Sequence, residues 1–128
     1  MSAARMIAIS IRQPWAHLIL TRGKDVENRS WPLPANYLGQ TILIHAGIAK
    51  PTEHPSAYHF LDLPRGGIVG MVQITGCVRD SLSDWAEPTM YHWLLTNART
   101  LPFHPCKGRL GFFEVDYPHV QAQLRVQA

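Results

Sequence analysis

The chain has 128 residues, 46% hydrophobic and 16% charged, with a net charge of +3 and two cysteines. That composition excludes a disordered tail, and the length excludes two ordinary domains, so the whole of 1–128 is read as a single domain. No apolar run approaches the ~20 residues that cross a bilayer, and Cys77 and Cys106 lie far apart outside any C-x-x-C pattern, which excludes a disulfide scaffold and a cysteine zinc knuckle.

Two unpaired thiols suit a reducing compartment, and Met1–Arg5 leads into an alternating segment rather than an apolar leader, so a cytoplasmic protein with no membrane contact is expected. The basic pI of about 9.1 is compatible with a polyanionic partner. The cations are three lysines and scattered arginines, with no basic tail.

Met6 to Arg12 alternates, with Ile7, Ile9 and Ile11 on one side, and predicts a strand. Gln13-Pro14 stops it, Trp15, Leu18 and Ile19 follow at helical spacing, and Gly23 is placed to end a helix of about two turns. Asp25 to Trp31 is short and polar and reads as an edge strand; Pro32 and Pro34 end it. Gln40 to Ala46 is a strand built on Ile42, Leu43 and Ile44. A helical turn is expected near Ser56 to Leu61. Gly67 to Arg79 is the longest strand expected, with glycines at 67, 70 and 76 marking bulges or sharp coiling. Leu82 to Ala86 reads as a helical turn capped by Ser81 or Ser83. Tyr91 to Ala98 fits helix or strand. Arg109 to Asp116 predicts a strand, and Pro118 to Val126 a weak terminal helix. The pattern is an α+β protein: a small closed or partly closed β-barrel of about five or six strands, with two or three short helices outside.

The densest polar segment is Lys24-Asp25-Val26-Glu27-Asn28-Arg29-Ser30-Trp31. Fully extended, it puts Asp25, Glu27, Arg29 and Trp31 on one face; a turn at Asp25 lets Lys24 and Glu27 face one pocket. A lysine beside a glutamate holds a charged hydrogen bond, and burial perturbs the titration of either. Trp15 and Trp31 flank the segment, and an aromatic plane beside cations suits a nucleobase and its phosphate, against the alternative that both rings are core. His45 ends a strand, where an imidazole acts as a base, a donor to a ligand, or a rim residue with a backbone partner. His54, His59, His92, His104 and His119 show no metal-ligand spacing, and there is no G-x-S-x-G, Walker A or G-x-G-x-x-G, so no metal and no cofactor are expected.

Ser10-Ile11-Arg12-Gln13-Pro14-Trp15-Ala16, then Lys24 to Trp31, then Ile44-His45-Ala46, resemble the signature of the ASCH domain, a family named for homology to activating signal cointegrator 1. Gly67 to Gly70, Trp93 to Ala98 and Lys107 to Phe113 fit it too, so the resemblance spans roughly residues 6 to 116. It implies a PUA-like β-barrel, makes Tyr91 to Ala98 a strand, and implies a cleft beside the first helix where lysine, glutamate and arginine gather. It also implies RNA, another nucleic acid or a nucleotide-like ligand. Some small bacterial members hydrolyse the amide of acetylated cytidine, and ribonuclease activity is associated with others. Two departures stand out. Arg22 occupies the position of a usual glycine, with Gly23 one place on. Glu27 stands where the amidohydrolases carry threonine, and neither Glu87 nor Glu114 matches their later catalytic glutamate.

The first expectation is therefore a binding module for RNA or a modified nucleoside. Lys24 and Arg29 would contact phosphate or a base edge, Trp31 would stack, Trp15 and His45 would line the cleft, and Ser10 and Gln13 would offer hydrogen bonds at its floor. Glu27 would orient Lys24 or accept from a base. The second is a hydrolase acting on acetylated cytidine or RNA, with Lys24 as base and Glu27 shuttling the proton. The third is a coactivator-type domain that binds a protein partner. Glu27 stabilises a charged Lys24, which places binding ahead of catalysis.

Overall fold

Residues 4–48 and 62–118 are described in the computed structural model of this chain. The turn expected near Ser56 to Leu61 and all but the first residue of the helix expected over Pro118 to Val126 lie outside them.

Six strands form one sheet: β1 (Ala4–Ile11), β2 (Val26–Arg29), β3 (Thr41–Ala46), β4 (Gly67–Val78), β5 (Tyr91–Pro105) and β6 (Phe112–Tyr117). Their order is β2-β5-β4-β3-β1-β6. β1 and β3 run parallel, with Ser10 beside His45, and every other pairing is antiparallel. Parallel strands need a crossover, and helix α1 (Trp15–Thr21) with β2 lies between these two in the chain. β2 pairs with β5 alone and is an edge strand, as its short polar sequence predicts.

The alternation of β1 and β3 feeds two apolar layers. Ile9, Ile11, Ile42, Ile44 and Ala46 pack with Ala16 and Ile19 of α1, Val72, Ile74 and Trp93. The opposite parity supplies Ala8 and Leu43, which pack with Ile68, Met71, Phe113, Val115 and Tyr117. α1 lies against the sheet because Gly70 has no side chain. A Cβ there would sit 2.4 Å from Leu20 Cδ2 and 2.5 Å from the Arg99 carbonyl oxygen.

The sheet is curled into a half-barrel. β5 and β6 stand second and sixth in the order, yet Trp93 and Phe112 stack with ring centroids 5.6 Å apart. Register shifts at Ile68/Gly70, Met71/Gln73 and Ile74/Gly76 along β4 and β5 supply the coiling, two of them at the glycines that signalled it.

Three expectations change. Among the described residues there is one α-helix and one short 3-10 turn (Ala35–Tyr37), not two or three helices. Leu82 to Ala86 is a turn: Ser81 Oγ accepts from the Ser83 N–H and Ser83 Oγ from the Trp85 N–H, so the backbone closes on side chains instead of propagating a helix. β5, not β4, is the longest strand. It runs on to Pro105, past Asn97 at φ +53, because its second half continues to pair with β4.

Candidate functional site

Gly23, at φ +73, turns the chain out of α1, and the Lys24 N–H then donates back to the Leu18 carbonyl at 3.1 Å. This folds Lys24 under the helix end, 5.8 Å from the centroid of the Trp15 ring. Its Nζ donates to the Val26 carbonyl and lies 3.7 Å from Glu27 Oε1. Glu27 and Arg29, two apart on β2, share a face, and Arg29 Nε donates to Glu27 Oε2 at 2.8 Å. Arg29 Nη2 also donates to the Ser10 carbonyl, at 2.9 Å. Lys24, Glu27 and Arg29 thus form one ion network around a single carboxylate. Asp25 stays outside it and accepts from Ser83 Oγ at 2.5 Å.

Lys24 is 5% exposed. Burial lowers its pKa from the ordinary lysine value and outweighs the opposing pull of Glu27. The sequence expectation, that Glu27 governs the titration, is reversed because desolvation acts on the whole ammonium while one carboxylate offsets it only in part.

The network borders two adjoining depressions that share Trp15, Glu27 and Asn28. The larger, about 960 Å³, has Ser10, Glu27, Arg29 and His45 in its wall and the 106–110 segment along its side. The smaller, about 550 Å³, adds Lys24 and residues 84–87. Asn28 holds that 84–87 loop, donating to the Trp85 carbonyl and accepting from the Glu87 N–H, both at 2.9 Å. His45 is buried, with Nδ1 3.1 Å from Ser10 Oγ and Nε2 2.8 Å from the Cys106 carbonyl oxygen. Ser10, Trp15, Lys24, Glu27, Arg29 and His45 are therefore brought together.

Two expected residues are placed elsewhere. Gln13 is 1% exposed and fastens the helix start: its Nε2 donates to the Pro64 carbonyl and its Oε1 accepts from the His17 N–H. It lines a separate depression of about 220 Å³ with His17, Leu20, Val69 and Phe103. Trp31 is half-buried, packed edge-on against Trp93 at 4.9 Å and Phe112 at 6.2 Å, and belongs to the aromatic wall of the core. β2 ends at Arg29, before Trp31 and the prolines, and the curl of the sheet brings Phe112 of β6 against the Trp31 ring.

The exposed cations Arg12, Lys107 and Arg109 line the large groove and were not singled out as site residues from the sequence. The signal was the Lys107-Gly108-Arg109 segment ahead of β6, whose place beside β1 follows only from the pairing of β6 with β1. Among the described residues no group of three or more His, Cys, Asp or Glu could hold a metal, and no helix is long and apolar enough to cross a membrane.

The curled six-stranded half-barrel with one helix is consistent with a small β-barrel domain. The ASCH domain profile matches residues 9–105, and the chain belongs to that family. No curated protein matches the chain. The family falls in the PUA-like superfamily, whose domains are generally RNA-binding, which is compatible with nucleic-acid binding by this chain.

Replacing Trp31 with alanine is expected to lower stability by about 3 kcal/mol, the low end for a truncated tryptophan because the ring is half-buried, with little change in RNA affinity. Chemical denaturation beside a binding titration checks this; lost affinity at unchanged stability would return Trp31 to the cleft.

Lys24 also carries a pH signature. Its folded pKa is depressed, so the unfolded chain holds the proton more tightly over the window from that depressed value up to lysine's ordinary 10.5. The stability of the natural protein relative to Lys24→Met should therefore rise with pH through that window and fall as pH drops. Urea titrations of both proteins across the alkaline range measure the difference, and a flat or falling difference would contradict the burial.

Proposed function

We propose that the large groove binds RNA or a modified nucleoside. The observation that carries this reading is the distribution of charge around it. Arg12, Lys107 and Arg109 are exposed at the groove, and Glu27, the one carboxylate among its described lining residues, is already paired with Lys24 and Arg29. An anionic ligand thus meets a rim of cations that form no ion pair among the described residues, beside a few polar side chains in a largely apolar groove, an arrangement suited to holding phosphate while side chains reach base edges. The volume of about 960 Å³ accommodates a nucleoside. Trp15, half-buried and common to both depressions, supplies the aromatic plane for stacking, and Arg29 with Glu27 supplies donors and an acceptor for a base edge.

Lys107→Ala together with Arg109→Ala should weaken binding of short RNAs and reduce the slope of log affinity against log salt by about 2, one per lost phosphate contact. Filter binding at several salt concentrations reads both quantities. Unchanged affinity in the folded double variant would place RNA elsewhere.

A second reading, hydrolysis of a nucleoside amide such as acetylated cytidine, is favoured by one observation: Lys24 is buried with a lowered pKa, next to Glu27. A lysine that spends more time neutral is a better proton acceptor near pH 7. Incubation of the protein with acetylated cytidine, followed by chromatography, separates the two readings. Binding without release of cytidine is the expected result; rapid release that disappears in Lys24→Met would rank hydrolysis first.

A further inference from the structure

Ser10 and His45 face each other across the parallel β1–β3 pair, and the function proposed above gives their contact no chemical role. Ser10 Oγ is 3.1 Å from His45 Nδ1, and His45 Nε2 is 2.8 Å from the Cys106 carbonyl oxygen. A carbonyl oxygen only accepts, so Nε2 carries the ring proton. In the neutral ring, Nδ1 then presents a lone pair, and the serine hydroxyl donates to it. The chain of groups runs from hydroxyl to base to an acceptor that fixes the base, which is the arrangement of an activated nucleophile.

The surroundings add three features. His45 is 2% exposed and its ring stands edge-on to Phe113 at 5.7 Å, so it is held in one orientation. Gly108 lies so close that a Cβ would fall 2.7 Å from His45 Cε1 and 2.8 Å from Ser10 Oγ; only glycine lets the backbone close over the pair. Ser10 keeps partial exposure in the wall of the large groove, where Arg29 Nη2 already donates to its carbonyl and brings positive charge to the same residue.

We propose that Ser10 is a nucleophile and His45 its general base in the hydrolysis of a carboxylic ester at the groove floor, the preferred ester bearing phosphate on its alcohol half. Ser10 Oγ attacks the ester carbonyl while its proton passes to His45 Nδ1. The tetrahedral adduct collapses, the bond to the alcohol oxygen breaks, and His45 returns the proton to the leaving alcohol. Water then attacks the acyl-serine, again giving a proton to His45 Nδ1; the bond from the acyl carbon to Ser10 Oγ breaks, His45 returns the proton to Oγ, and the carboxylic acid leaves. No oxidant, reductant or metal enters the balance. The phosphate preference comes from Arg12, Lys107 and Arg109 at the rim. The acyl transfer uses neither Lys24 nor Glu27, so it stands or falls separately from hydrolysis of a nucleoside amide; the phosphate preference shares Arg12, Lys107 and Arg109 with the RNA-binding reading and rests on it, whereas labelling of Ser10 does not.

The test treats the full chain with p-nitrophenyl acetate and maps the acetyl group by peptide mass spectrometry. Acetyl on Ser10 is expected, none at that position in Ser10→Ala, and acylation at least about 100-fold slower in His45→Gln, which retains a donor toward the Cys106 carbonyl but no base. A second arm compares 3′-O-acetyladenosine with and without a 5′-phosphate; the phosphate should raise kcat/KM roughly tenfold, and Lys107→Ala with Arg109→Ala should remove the advantage. Ser10 left unlabelled in the natural protein, or acylated equally fast in His45→Gln, overturns the proposal, as does a missing phosphate preference for the substrate class. Should His45→Gln fail to fold, Ser10→Ala decides: ester turnover that persists in it refutes the nucleophile.

Discussion

The carboxylate of Glu27 joins parts of the molecule that the sheet alone leaves apart. Among the described strands β2 pairs with β5 alone, at one end of the strand order, whereas β1 stands four places away. Glu27 receives Arg29, and Arg29 reaches on to the Ser10 carbonyl at the end of β1. It also faces Lys24, delivered from the end of α1. One buried anion with two cations therefore ties the edge strand, the helix end and β1 across the open side of the half-barrel. Burying these charges costs desolvation energy, and the pairing compensates only while all partners are present. The network thus fixes the position of β2 and shapes the groove more than it adds net stability.

The groove is built in two tiers that follow from burial. Its floor carries polar groups already paired with one another: Glu27 with its cations, Ser10 with His45, His45 with the Cys106 carbonyl. Its rim carries Arg12, Lys107 and Arg109 in solvent. Under the proposed reading, these cations would keep their hydration until a ligand arrives and would act as phosphate contacts with strong salt dependence. Floor groups are preorganised and discriminate by geometry, because an unmatched buried donor or acceptor is penalised. Leu110, 99% exposed between these cations and the start of β6, adds an apolar surface at the rim.

The span matched by the family profile, residues 9–105, includes the segment from Lys24 to Arg29. Lys24 to Arg29 is polar enough to be an edge strand, and its i, i+2 period places Glu27 and Arg29 on one face. Lys24 has the wrong parity for that face and joins it only because Gly23 breaks the helix and Lys24 precedes the strand. The reversed direction of the Lys24 titration has the same origin. The pull of Glu27 is a pairwise effect visible from spacing, whereas desolvation is set by how much of the helix end and Trp15 covers the ammonium.

Taken alone, the amino-acid order determined whatever depends on near neighbours: the alternation of β1 and β3, the helical spacing of Trp15, Leu18 and Ile19, the polar edge character of β2, the bulges at Gly70 and Gly76, and the shared face of Glu27 and Arg29. Motif matching extended that to the family and to the strand at Tyr91. The curl of the sheet decided the rest, because it brings together residues far apart in the chain. It closes Phe112 over Trp31 and Trp93, making Trp31 part of the core wall rather than a free ring at a cleft. It leaves Gln13 beside Pro64, on the other depression beside α1. It carries the Lys107–Arg109 segment to the groove through the β1–β6 pairing. Local periodicity records which face a residue occupies on its own element; what that face meets is a property of strand order and coiling, which long-range register sets and no short window of sequence contains.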